Sequence, residues 1–152
     1  MPYFYTESPI GIIEIEANDD GICQVNFVEN KTFESAETPI LRQCANELAE
    51  YFEGKRSHFE VKLAAKGTDF QHTVWEKLSK VSFGTTQSYM DIALQLGDAK
   101  KVRAVGAANG KNPIAIIVPC HRVIGGNGNL IGYAGGLWRK EWLLRHEGAI
   151  LL

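Results

Sequence analysis

Ser88-Tyr-Met-Asp-Ile-Ala-Leu-Gln-Leu-Gly97-Asp98-Ala-Lys-Lys-Val-Arg103-Ala-Val-Gly-Ala-Ala-Asn109-Gly110 reads as two short helices joined at a glycine. Ser88 offers a hydroxyl cap to the first, which runs through about Leu96 before Gly97 ends it. Asp98 caps the second, Ala99 to about Asn109, and Gly110 with Pro113 beyond it stops further helix. Such a pair is the sequence form of a helix-turn-helix. The second helix is small-sided, with Ala104, Gly106, Ala107 and Ala108. Two readings fit that feature: a backbone that presses close to a partner surface, or one that packs tightly against its own neighbours.

Upstream, Thr68 or Asp69 caps a helix to about Lys80 that buries Phe70, Val74 and Leu78. Before a joint at residues 64–68 the period changes to two. Ile13, Ile15 and Ala17 alternate with Glu14 and Glu16, and after a turn at residues 18–21, Cys23, Val25 and Phe27 alternate with Gln24 and Asn26. Pro39 opens a helix carrying Leu41, Cys44, Ala45, Leu48 and Phe52, closed near Gly54. Phe59, Val61 and Leu63 alternate with Glu60 and Lys62 and are expected to form a returning strand. The expectation is an α+β protein with a strand-rich unit over residues 1–66 and a helical unit over 67–152.

Downstream, the apolar run Ile114–Val118 reads as a strand that delivers Pro119-Cys120-His121-Arg122-Val123. Two cations behind a cysteine favour thiolate, the nucleophilic form. His121 is the adjacent imidazole and needs an orienting carboxylate, for which Glu141 and Glu147 are the downstream acids. On an extended segment the Arg122 side chain would share the face of Cys120. Cys23 and Cys44 fall on apolar faces and read as inert core residues. The glycine-rich 125–129 segment lacks the lysine of a phosphate loop and reads as a hairpin turn.

Charge divides the 152-residue chain. Residues 1–97 hold 8 Lys+Arg against 15 Asp+Glu, and residues 98–152 hold 8 against 3. A basic half points to a polyanion, with a solvated basic face as the plain alternative. Three unpaired cysteines, no signal-like N-terminus and no apolar run of about 20 residues exclude a disulfide framework and a helical membrane span, and point to the cytoplasm. No metal-ligand spacing is present among the four histidines and three cysteines.

The run Asn112–Gly125 around Pro119-Cys120-His121-Arg122, with Arg103–Gly110, Ser88-Tyr89, Gly132–Gly136 and Lys140–Gly148, resembles the O6-alkylguanine-DNA alkyltransferases over about residues 67–150. The resemblance implies a ribonuclease H-like N-terminal domain and a winged helix-turn-helix domain. It implies direct-reversal repair: Cys120 takes the alkyl group from O6-alkylguanine, and from O4-alkylthymine, in double-stranded DNA. The transfer occurs once per molecule, as a monomer, with no cofactor, metal or membrane.

By the same resemblance, His121 and Glu147 activate Cys120, Tyr89 supplies a proton or hydrogen bond to the flipped purine, and Asn112 braces the active-site loop. Arg103 is the arginine that fills the space of the flipped base. Lys101, Ala104, Ala107 and Ala108 face DNA; Asn109, Val123, Tyr133, Ala134 and Gly135 wall the substrate pocket. Ala134 stands where some members carry serine, and Asn109 where some carry a larger apolar residue. A lesion-binding module without chemistry needs no nucleophile, and a thiol hydrolase leaves the basic helix-turn-helix without a role.

Overall fold

The computed structural model describes residues 2–150 and divides the chain into two compact units, residues 1–66 with 113–117, and residues 67–112 with 118–152.

In the first unit, β1 (Tyr3–Ser8), β2 (Gly11–Asn18) and β3 (Gly21–Val28) form an antiparallel meander in that order. The turn into β2 is tied by Ser8, whose Oγ donates to the Gly11 carbonyl and accepts from Ile10 N. Asn18 Oδ1 accepts from the amides of Asp20 and Gly21, the local bond that makes Asn a turn former. Ile13 and Ile15 of β2 are fully buried on one face. The helix α1 (Pro39–Phe52) packs across all three strands through Leu41, Cys44, Ala45, Leu48 and Tyr51. Each such leucine is worth about 1.5–3 kcal/mol of transfer free energy.

Two strand expectations fail in this unit. Residues 59–63 make one parallel bridge, Ile22 with Leu63, and no strand. Their amides are drawn elsewhere: Oε1 of buried Glu47 accepts from Glu60 N at 2.9 Å and Val61 N at 3.1 Å. Gly21 is required here, since a Cβ on it would stand 2.7 Å from the Lys62 carbonyl oxygen.

The second failure is the run 114–118, which is a bridge followed by a turn. Val25 N donates to the Pro113 carbonyl and Ala115 N to the Val25 carbonyl; then Ile116 turns at φ +70°. That conformation costs a β-branched residue about 1–3 kcal/mol. Burial of Ile114 and Ile116, both at most 1% exposed, offsets it. These pairings place 113–117 in the first unit, although the sequence reading had assigned them to the second.

In the second unit, α2 (Asp69–Ser79) begins with a capping box between Thr68 and Gln71. The two-residue β4 (Gln87–Ser88) leads into α3 (Tyr89–Gln95), opened by a second capping box between Ser88 and Asp91. A single 3-10 turn, Ala99–Lys101, capped by Asp98, precedes α4 (Val102–Gly110). Another, Cys120–Arg122, precedes β5 (Val123–Ile124), which pairs in parallel with β4. The unit closes with α5 (Leu137–His146). Its core is Val74, Trp75, Leu78, Ile92, Val105, Val123, Leu143 and Leu144. Gly125–Asn129 is a turn closed by Gly125 N to the Asn129 carbonyl, but β5 pairs with β4 and the turn joins no two paired strands. Nor is any described helix long and apolar enough to cross a membrane.

Candidate active site

The nucleophile sits in a turn. Pro119 (φ −82°, ψ 62°) bends the chain so that Cys120–Arg122 coil as one 3-10 turn; the proline-punctuated turn agrees with the sequence reading, whereas the extended course used to set the Arg122 side chain on the face of Cys120 does not. Cys120 is 7% exposed. Burial pushes its thiol up, against a hydrogen bond from the Asn112 side chain and the positive charge of Lys140. Asn112 also donates Nδ2 to the Val118 carbonyl at 2.8 Å, joining the point where the chain leaves the second unit to the point where it returns.

His121 is wholly buried and its Nε2 lies 2.8 Å from Glu147 Oε2. Burial lowers its basicity and outweighs the pull of the carboxylate, so the imidazole is neutral. Glu147 is charged: burial pushes it up, but hydrogen bonds from His121 and Arg122 win and bring it down to about 2. A carboxylate acceptor fixes the tautomer, with the proton on Nε2 and the lone pair on Nδ1. Nδ1 is buried and has no partner among the described residues. Glu141, the other downstream acid, pairs with Arg145 instead.

Arg122 does not face the sulfur. Its Nε and Nη2 grip Glu147 at 2.8 and 3.1 Å, and Nη1 donates to the Val81 carbonyl. That fork neutralises its charge, which corrects its expected part as a thiolate neighbour.

Tyr89, first residue of α3, donates its hydroxyl to the Ile131 carbonyl at 3.1 Å. Burial raises its pKa, with the charge of Cys120 adding to the shift, so it remains a phenol donor. With Val102, Arg103, Gly106, Ile131 and Gly132 it lines an apolar pocket of about 330 Å³. Lys101, at the end of the preceding 3-10 turn, and Arg103, Ala104 and Ala107 on α4 are exposed. Ala108, expected to face DNA, is turned inward at 3% exposure, and its carbonyl accepts from Trp75 Nε1 because α2 packs on that side.

Of the expected pocket wall, Val123 is buried within β5, and Asn109 is 4% exposed with an Oδ1 that has no partner among the described residues. Tyr133 buries a hydroxyl that has no partner among the described residues. Ala134 is exposed and Gly135 lends its carbonyl to Arg139. None of these five lines the pocket beside Tyr89.

Sequence reasoning missed Lys140. Its Nζ donates to the carbonyls of Val123 and Ile131, both at 2.7 Å, with Gly132 at 3.4 Å, and the residue is 0% exposed. The signal was available: 140, 143, 144 and 147 fall on one helical stripe, so Lys140 shares the face of Leu143, Leu144 and Glu147. Among the described residues, no cluster of three His, Cys, Asp or Glu side chains is placed to hold a metal ion.

A buried thiol backed by a neutral histidine and a fixed carboxylate, in the same unit as a helix-turn-helix, defines a thiol-nucleophile protein with a DNA-binding type of scaffold. The family described as 6-O-methylguanine DNA methyltransferase matches in both its parts, the ribonuclease-like domain over residues 1–65 and the DNA binding domain over 69–149. The chain belongs to that family. It is 46% identical to the methylated-DNA–protein-cysteine methyltransferase of Methanosarcina acetivorans over 98% of this chain and 99% of that one. It is similar to the crystal structure of Mycobacterium tuberculosis O6-methylguanine methyltransferase, with TM-score 0.87 and 41% identity over 97% and 93% of the two chains. The Mycobacterium tuberculosis OGT in complex with DNA gives TM-score 0.89 at 41% identity, over 98% and 94%.

Proposed function

We propose that the protein repairs O6-alkylguanine in double-stranded DNA by direct reversal, accepting the alkyl group irreversibly on Cys120. The observation that supports this reading is the buried His121–Glu147 pair directly following Cys120 in the turn 120–122, with Nε2 held on the carboxylate. Sulfur attacks the alkyl carbon, the carbon–O6 bond breaks and its electron pair stays on guanine. The thiol proton passes toward the free lone pair of His121 Nδ1, and the departing purine takes a proton in turn, with the Tyr89 phenol as donor. A thioether is a poor leaving group, so each molecule acts once.

Reaching the alkyl carbon requires rotating the base out of the stack. Arg103, exposed on the small-sided α4 and lining the pocket with Tyr89, is assigned to fill the vacated space, which its exposure supports; exposed Lys101 is assigned to phosphate and exposed Ala104 and Ala107 to close approach. Asn112 holds the turn; Asn109, Val123, Tyr133, Ala134 and Gly135 are assigned to the surroundings of the alkyl group. O4-alkylthymine is a second substrate of the same chemistry. The three free cysteines suit a reducing cytoplasm.

The test is the intact mass of the protein after incubation with duplex DNA containing O6-methylguanine. One methyl group per molecule on the Cys120 peptide is expected. An unmodified Cys120 peptide, or repeated turnover, overturns the reading.

A further inference from the structure

The segment that leads into α5 is held from its outer side. Gly136 N donates to the Tyr133 carbonyl at 2.9 Å, which closes a turn over Tyr133–Gly136. The Arg139 side chain reaches back onto that turn: Nη1 donates to the Gly135 carbonyl at 2.8 Å, and the guanidinium lies 4.6 Å from the centre of the Trp138 ring. Trp138 is 56% exposed, so its indole adds little to the core. What it covers is Arg139 and the turn itself, since a Cβ on Gly136 would stand 3.3 Å from Trp138 Cδ1. Tyr133 points the other way, with a buried hydroxyl that has no partner among the described residues. Burial raises its pKa, the charge of Cys120 adds to the shift and that of Arg139 opposes it, so the phenol lies within electrostatic reach of both. Leaving a hydroxyl buried and unpartnered opposes this placement of Tyr133, and the bonds at Gly135 and Gly136 hold it.

We propose that Trp138 and Arg139 form a latch on the Tyr133–Gly136 turn, positioning the wall beside Cys120 and so setting the bulk of the group that reaches the sulfur. Stacking on the indole face holds the guanidinium in one orientation, which spares part of the entropy of fixing a long side chain. Held this way, it gives a charge-assisted bond to Gly135, two residues beyond Tyr133. With the latch made, Tyr133 stands against the site and slim groups pass. With the latch broken, the turn is free to swing on the glycines at its ends, Gly132 (φ +60°) and Gly136 (φ +95°), and bulkier groups enter. Neither latch residue touches the reacting atoms; both act through Tyr133.

This inference rests on Cys120 as the alkyl acceptor, so its test reads access to the thiol without DNA, and methyl transfer from DNA is scored separately by mass. The Cys120 peptide is followed during reaction of the folded protein with a slim reagent, iodoacetamide, and a bulky one, N-(1-pyrenyl)maleimide. Wild type is compared with Arg139→Ala, Trp138→Ala and Trp138→Phe. The ratio of bulky to slim rates is expected to rise about tenfold in Arg139→Ala, the scale of one charged hydrogen bond, and about threefold in Trp138→Ala, the scale of an exposed cation–π contact. Trp138→Phe keeps an aromatic face for the guanidinium and should return the ratio toward wild type. Cys23 and Cys44, buried in the first unit, report general loosening of the fold in the same samples. An unchanged ratio in both alanine variants overturns the proposal, and so does a rise that Cys23 and Cys44 share equally.

Discussion

Each unit buries a glutamate at 5% exposure or less, and both carboxyls sit below the ordinary carboxylate range. Their partners differ. For Glu47, burial is outweighed by an amide from Gln43, two backbone N–H groups and the charge of Arg56. For Glu147 it is outweighed by a histidine and an arginine fork. Backbone partners cannot change protonation, so Glu47 only holds a loop to a helix. A histidine partner can, so Glu147 sets the tautomer of a base beside a thiol. A depressed carboxyl marks a function only when the group that depresses it can itself move a proton.

The largest expected effect separates the two glutamates. Glu147→Gln should slow single-turnover methyl transfer about 10²–10⁴-fold, the usual worth of a positioned base. A loss below threefold would erase the distinction. Next, Arg103→Ala should slow repair of duplex DNA about ten- to hundredfold, the scale of an unstacking cost of a few kcal/mol, and spare reaction with free O6-benzylguanine. Equal losses on both substrates would move Arg103 from flipping to chemistry.

Acid titration comes third. A carboxyl depressed from 4.5 to about 2 contributes stability that is fully present above about pH 4.5 and is lost as pH falls toward 2, about 3 kcal/mol in all. His121 acts in the same direction, being buried neutral and charged when unfolded below about 6.5. Chemical denaturation of wild type and Glu147→Gln at pH 7 and pH 3 should show the variant losing less on acidification; parallel losses would contradict the assignment. The smallest effect belongs to the first unit. Glu47→Gln should cost about 1–3 kcal/mol in denaturation and leave the transfer rate per folded molecule unchanged.

Much of this was readable from residues alone where the signal was local. Thr68 and Ser88 cap their own helices and Asp98 caps the 3-10 turn that leads into α4, and the cap chemistry needs no distant partner. The Pro119–Val123 motif likewise singled out Cys120 and His121 as the proposed nucleophile and base. What failed depended on groups far along the chain. The alternation at 59–63 is a strand pattern, but Glu47 on α1 takes its amides. Ile114–Val118 is as apolar as a strand, yet Ile116 turns because burial there outweighs strain. β1 lay unread before Ser8 and Pro9, and Arg122 was misassigned because its acceptor lies 25 residues on. Lys140 was overlooked because a helical lysine is normally exposed, a rule its apolar stripe should have overridden.

The excursion of residues 113–117 bears on how the chain can be divided. Cutting at residues 64–68 gives two polypeptides that do not correspond to the two units. A fragment beginning at Gly67 would carry Ile114 and Ile116, stripped of the strand Val25 belongs to, as an unsheltered apolar loop. The complementary fragment would lack the segment that pairs with Val25. Separately expressed halves should therefore be poorly soluble alone and recover when mixed, making this protein a natural subject for fragment complementation.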